Sequence, residues 1–360
     1  MRPKIAIVHD YLTQRGGAER VALEIAKAFP GAPIYTSFYE PSQTFPEFGS
    51  MDVRPSSWNR ARAFRSDPRR AFPLLPRIFS SLRVEADVVI CSSSGWSHAV
   101  QTSGKKIVYC HTPARWLWAP EDYFKGLPRP IQRIVGSTVG LARAWDARAA
   151  RSADSYLANS TVVKERILRA YAKESTVLHP PASVGGSALA ANIPFKEGDF
   201  YLTVGRPRGY KNTKLAVDAF EGMPARNLVV VGDGWASEDP QPNTTFLSGV
   251  SDGELRWLYS NARAVIALSH EDFGLTPVEA FSLGTPAIAL RAGGYLDSCI
   301  EGTNAVFVDE LTVEALKAAI FRLEDRNMPS VPIVDSARRF DPAFFRSALL
   351  EIAEAAWSGN

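Results

Sequence analysis

The chain lacks most features that would place it in a specialised class. Its 360 residues hold three cysteines, Cys91, Cys110 and Cys299, odd in number, far apart and each set among apolar neighbours. That argues against a disulfide framework and a CxxC metal or redox pair, and it fits a reducing compartment. No apolar run reaches the eighteen or so residues that a membrane span needs. The longest charge-free stretch, Val88 to Gly104, is full of serine and also holds a His and a Gln. The early run Ile5-Ala6-Ile7-Val8 is cut off by His9 and Asp10, which does not read as a signal peptide. These absences predict a cytoplasmic protein. No D-x-D triplet, H-E-x-x-H, G-x-x-x-x-G-K-[ST] or G-x-S-x-G occurs, and the G-x-G-x-x-G dinucleotide fingerprint is missing.

What is present is an ordinary soluble composition, with 46% hydrophobic and 22% charged residues, too apolar for disorder. The length exceeds one compact core and suits two domains. The formal net charge of +3 hides an asymmetry. Residues 1–180 carry 26 Lys and Arg against 15 Asp and Glu, whereas residues 181–360 carry 15 against 23. A basic half joined to an acidic half suggests an anionic partner for the former.

Short apolar runs alternate with helical patterns. Strands are predicted at Lys4–His9, Asp87–Cys91, Lys106–Cys110, Ser155–Ala158 and Thr176–Leu178, with helices at Ala18–Phe29, Pro130–Arg151 and Thr161–Tyr171 among them. A Pro, Gly, Ser and Ala-rich stretch from His179 to Gly198 reads as a linker. A second series then begins, with strands at Phe200–Val204, Asn227–Val231, Thr245–Leu247, Ala264–Leu268, Ala287–Leu290 and Ala305–Val308. A helix at Pro342–Trp357 closes the chain. The expected architecture is α/β: two doubly wound, Rossmann-like domains facing across a cleft, with ligands at the carboxyl ends of strands. The expected domains are 1–180 and 181–341, the first joined by a C-terminal helix at about 342–360.

Four segments carry candidate chemistry. In Gly205-Arg206-Pro207-Arg208-Gly209-Tyr210-Lys211-Asn212, Arg206 and Lys211 can converge beside a helix N-terminus, a diphosphate site. The alternative is a solvated basic loop. In His270-Glu271-Asp272-Phe273-Gly274-Leu275-Thr276-Pro277-Val278-Glu279, Thr276 and Glu279 form a T-x-x-E capping box with Pro277 at the first helical position. Glu279 can therefore simply cap its helix, while Glu271 has no such task and can grip ligand hydroxyls. Arg15-Gly16-Gly17-Ala18-Glu19 is either a binding loop or a tight structural turn, and Asp10 just before it could reach the cleft. His111, followed by Thr112-Pro113 at a strand end, points toward the cleft; the other histidines stand isolated. Gly232-Asp233-Gly234 shapes a turn.

Taken together these segments resemble glycosyltransferase family 4, the retaining sugar-nucleotide transferases of the GT-B fold. The most specific part is Glu271-x7-Glu279 within EDFGLTPVEAFSLGTPAIA, together with GRPRGYKN and the GGAER loop. VHDYL, RRAFPLLPRIFSSL and IVYCHTPARWLWAPEDYF make it similar to bacterial GDP-mannose-dependent mannosyltransferases acting on lipid-linked glycans. The resemblance implies that Arg206 and Lys211 hold the donor diphosphate, Glu271 the sugar hydroxyls and Glu279 the ribose. It implies backbone contacts at Gly205, Phe273, Gly274, Leu275 and Thr276, with Gly16 and Gly17 against phosphate or acceptor and His111 against the sugar. The base would sit near Gly249-Val250. Where the family has Gly-Gly-x-x-Glu followed by Thr-Gly, this chain has Asp297 at the Glu position and Asn304-Ala305 for the later pair. No cofactor or metal is implied. The leaving diphosphate is neutralised by cations and dipoles, each contact worth roughly 1.5–3 kcal/mol.

Eight arginines lie between Arg54 and Arg83, interleaved with Trp58, Phe64, Phe72, Leu74, Leu75, Ile78, Phe79 and Leu82. This suits either an interfacial element on anionic lipid or a half-buried helical pair with solvated arginines. The first reading places the protein on the inner face of the cytoplasmic membrane, with a polyprenyl-diphosphate-linked glycan as acceptor. No nucleic-acid reader motif appears. A nucleotide-sugar epimerase or hydrolase of the same fold, and a non-catalytic two-lobed sugar-binding protein, remain as alternatives.

Overall fold

A computed structural model describes residues 3–118, 129–182, 184–205, 211–235 and 241–359; for 129–138 only the backbone is considered. The chain divides into two units, Met1–Pro180 with Ala343–Asn360, and Pro181–Pro342.

The first unit is built on a parallel sheet of seven strands: β1 (Ile5–His9), β2 (Ile34–Thr36), β3 (Val53–Pro55), β4 (Val88–Ser93), β5 (Lys105–Cys110), β6 (Ser155–Ala158) and β7 (Thr176–Val177), in the order β3-β2-β1-β4-β5-β6-β7. Its central strands β1, β4 and β5 carry apolar runs because both faces are covered. Val8, Val89, Cys91 and Val108 enter one core; their neighbours Ile7, Val88, Ile90 and Ile107 enter the other. Alternate residues of a strand point to opposite faces, so each run fills two cores. Strands β2 and β3 escape the sequence reading because each has three residues, too few for a pattern. Pro55, which cannot donate to a ladder, is tolerated because β3 is at the sheet edge. The final helix, Pro342–Ser358, packs Phe345, Leu349 and Ala353 into the second core. The Phe345 ring meets that of Tyr109 edge-on at 5.5 Å.

The second unit has six parallel strands: β8 (Phe200–Val204), β9 (Asn227–Val231), β10 (Thr244–Leu247), β11 (Ala264–Ala267), β12 (Ala287–Leu290) and β13 (Ala305–Val308), in the order β10-β9-β8-β11-β12-β13. It too carries a core on each face.

Two sequence expectations are corrected. Residues 181–198 are not a free linker but are tied down on the second unit. The Ala182 amide donates to the Phe340 carbonyl, Leu189 to Gly253 and Gly198 to Asn261, and Val184 is buried. In the arginine-rich segment, Leu75, Ile78 and Phe79 are buried, and Phe64, Phe72, Leu74 and Leu82 pack against the same core. The apolar residues therefore serve the fold. Arg60, Arg62, Arg69, Arg77 and Arg83 are exposed, and of the bulky apolar side chains only Trp58 joins them.

Candidate functional site

In the second unit, successive strands are laid down outward from β8 in one direction and then from β11 in the other. The gap between the carboxyl ends of these two neighbours is the switch point where such sheets bind ligands. Thr203, Val204, Lys211, Ser269, Thr276 and Tyr295 line a small pocket there.

The loop after β8 is shaped by packing. A Cβ on Gly205 would come within 2.8 Å of Thr213 Cγ2 and 3.1 Å of Lys211 Cβ. Asn212 takes a left-handed backbone (φ 51°), a conformation Asn tolerates better than most residues, and caps the helix Thr213–Glu221. Its side-chain amide donates to the Leu268 carbonyl at 2.8 Å, pinning this loop to the one after β11. Lys211 is thereby delivered to Glu271, with Nζ 2.7 Å from Oε1. Arg206 lies outside the described residues.

Glu271 is held from behind. Ser269 Oγ donates to Glu271 Oε1 at 3.0 Å and lies 2.8 Å from the Tyr295 hydroxyl. Ser269 has one hydroxyl proton, so Tyr295 must be the donor to it. The 271–274 loop and the 293–295 turn interlock. Side chains at Gly293 or Gly294 would overlap the backbone of Glu271 or Phe273, and one at Gly274 would overlap the Tyr295 ring. Sequence reading passed over Ser269 and Tyr295; the paired glycines ahead of Tyr295 were the available signal.

The expected capping box is absent. Gly274, at φ 85°, is the N-cap of the helix Leu275–Phe281, without a side-chain cap bond. Glycine's freedom at positive φ starts the helix two residues earlier than the T-x-x-E pattern required. Thr276 and Pro277 therefore lie inside it. Glu279 is buried and accepts a hydrogen bond from the Tyr259 hydroxyl at 3.0 Å. Phe273 is buried against Phe340. Val250 follows the edge strand β10, beside Gly249 at φ 65°, just before a helix at Asp252–Asn261 capped by Ser251 and Glu254.

The first unit has its own switch point, between β1 and β4. Gly16 is the N-cap and Gly17 the first residue of the helix Gly17–Ala28, and a Cβ on Gly16 would lie 2.5 Å from Glu19 Oε2. His111, just past β5, is 8% exposed, with Nε2 2.8 Å from Ser92 Oγ. Burial, helped by the neighbouring His9, pushes its pKa down to about 3, so it is a neutral imidazole. His9 is not isolated: its Nδ1 lies 3.0 Å from the same Ser92 oxygen. Asp10 does not reach for a ligand. It is buried, and its two oxygens accept the Ser94 and Ser97 amides at 2.7 Å each. Desolvation still raises its pKa. Among the described residues, no group of three His, Cys, Asp or Glu could hold a metal ion.

Residues 15–183 match the family model for glycosyltransferase family 4, and residues 189–340 match that for glycosyl transferases group 1. The chain is a family 4 glycosyltransferase. This glycosyltransferase is 27% identical to the human alpha-1,3/1,6-mannosyltransferase ALG2, over 82% of either chain. It is 26% identical to the protein of that name from Dictyostelium discoideum, over 83% of this chain and 84% of the other. Its fold is GT-B. The crystal structure of Anabaena Alr3699/HepE in complex with UDP-glucose superposes with a TM-score of 0.70 at 17% identity, covering 98% of this chain and 100% of that one.

Proposed function

We propose that this glycosyltransferase moves mannose from GDP-mannose to a glycan or lipid-linked oligosaccharide, with retention and without a metal ion. The reading rests on the Lys211–Glu271 pair at the switch point of the second unit. A cation and a carboxylate in contact can part onto two portions of one ligand, Lys211 to the diphosphate and Glu271 to sugar hydroxyls. Arg206 supplies the second cation, Gly205 and residues 273–276 offer backbone, and Glu279 takes the ribose. The base lies near Val250. The mannosyltransferase names of the relatives support the sugar.

In the reaction, the bond from the sugar's anomeric carbon to the diphosphate oxygen breaks as the acceptor oxygen bonds to that carbon from the same face. The acceptor's proton passes to the departing phosphate oxygen. No carboxylate nucleophile is needed, so positioning and charge stabilisation supply the catalysis. His111, neutral in its pocket, contacts the sugar, and Gly16 and Gly17 let phosphate or acceptor approach. Exposed arginines of residues 54–83 draw the enzyme to anionic lipid, each worth about 1 kcal/mol near the surface. No helix among the described residues is long and apolar enough to cross a membrane.

A thermal-shift panel of GDP, UDP, ADP and dTDP sugars tests the donor. A ligand at a hundredfold its Kd stabilises by about 2.7 kcal/mol. GDP-mannose should shift the enzyme most; a larger shift from a UDP sugar would overturn the donor assignment.

A further inference from the structure

At the switch point of the first unit a buried chain of polar groups runs from Glu19 to His111. Glu19 Oε1 lies 3.9 Å from His9 Nε2. His9 Nδ1 lies 3.0 Å from Ser92 Oγ, and Ser92 Oγ lies 2.8 Å from His111 Nε2. Strand register creates the chain, because His9 on β1 sits directly opposite Ser92 on β4. Glu19, His9 and Ser92 are each at most 2% exposed. Gln14 donates to the same Glu19 Oε1 at 3.0 Å, fixing that carboxylate in place. His9 Nε2 and Glu19 Oε2 are buried with no hydrogen-bond partner. Buried polar groups left this way are costly and ask for an explanation.

One serine proton couples the two rings. Ser92 cannot donate to both imidazoles, so a His9 that accepts the serine proton at Nδ1 requires His111 to donate from Nε2. If His9 carries its proton on Nε2, its Nδ1 accepts from Ser92, and the Ser92 oxygen accepts from His111 Nε2–H. His111 Nδ1 is then a bare acceptor. If His9 carries its proton on Nδ1, the serine proton is released to His111 Nε2, and His111 can take the form in which Nδ1 is a donor. A carboxylate facing His9 Nε2 favours the first arrangement, because a lone pair there would face negative charge.

We propose that Glu19, His9 and Ser92 are positioning residues that hold His111 as the Nε2–H tautomer, so that Nδ1 accepts a hydrogen bond from a hydroxyl of the transferred sugar. The sugar contact rests on the role of His111 proposed above; the tautomer chain does not. No hydrogen bond of Nδ1 to a described residue accompanies the one at Nε2, and His111, at 8%, is the most exposed member of the chain. Since His111 stays uncharged, it acts through which nitrogen bears the proton, not through titration.

The chain has five histidines, so the full-length protein labelled with 15N-histidine gives a tractable two-bond 1H–15N spectrum. The wild type should show His111 protonated on Nε2. Glu19→Gln, which removes the charge but keeps the shape, and Ser92→Ala, which cuts the chain, should each move His111 toward the Nδ1–H form. Both should lower kcat about tenfold, the scale of one hydrogen bond, with donor KM within about twofold. A wild-type His111 protonated on Nδ1, or a tautomer unmoved by both substitutions, overturns the chain. A tautomer that moves while kcat stays constant leaves the chain standing and overturns the sugar contact. A merely structural role would change unfolding stability without moving the tautomer.

Discussion

Lys211 and Glu271 stand in contact, Nζ to Oε1 2.7 Å, although sixty residues separate them in sequence. Lys211 keeps about a third of its side chain exposed and Glu271 about a seventh, so the pair is within reach of ligand. Such half-exposed pairs contribute little to stability, roughly 0–1 kcal/mol. On the proposed reading, the pair keeps both groups at the site before the donor arrives.

Glu271→Ala should therefore separate binding from turnover. If Glu271 grips sugar hydroxyls as the donor ionises, kcat falls by about a hundredfold or more while GDP affinity changes little. Steady-state rates beside GDP titrations check this. Unchanged turnover would remove Glu271 from the chemistry.

Tyr295→Phe deletes the hydroxyl that lies behind Ser269 and Glu271. The ring remains to fill the space against Gly274. The expected loss is about 1 kcal/mol of stability for the hydrogen bond, read by urea unfolding, and a several-fold fall in kcat as Glu271 gains freedom. A variant with wild-type kcat would show that Ser269 alone aligns the carboxylate.

His111 predicts a pH signature in stability. Its folded pKa of about 3 lies below the ordinary histidine value of 6.5. The neutral form is favoured in the folded state, so its contribution is full above pH 6.5 and is lost as pH falls from 6.5 toward 3. The slope approaches about 1.4 kcal/mol per pH unit once the unfolded chain takes up the proton. Urea unfolding at several pH values between 7 and 5 should show this in the wild type and a flatter profile in His111→Asn. Equal slopes would mean that the imidazole protonates in place.

The arginine-rich segment predicts attachment by charge. Since its apolar side chains are spent on the core, flotation with anionic vesicles should be strong at low salt and weak at 0.5 M salt. Binding insensitive to salt, or equal on neutral vesicles, would contradict an electrostatic surface.

Most of the fold was legible because both sheets are parallel and covered on both faces, which turns each central strand into an apolar run. Strands β2 and β3 were not, having three residues each, with β3 at the sheet edge. The capping box failed on one residue, Gly274, whose positive φ no local pattern announces. Glu271 and Lys211 could be picked out by motif, each at a strand end. The Glu19–His9–Ser92 chain could not. His9 and Ser92 lie 83 residues apart and meet only through the register of β1 on β4. On its sequence neighbours alone, His9 reads as isolated.

The central claim is that cations of the second unit, Lys211 among them, hold a nucleotide-sugar diphosphate with no divalent ion. Calorimetric titration of GDP-mannose in excess EDTA, on the wild type and on Lys211→Ala, tests it directly. Undiminished binding by the wild type and an affinity at least about tenfold weaker for Lys211→Ala are predicted, the scale of one charge-assisted contact. Binding that requires added magnesium, or a Lys211→Ala variant that binds like the wild type, would contradict it.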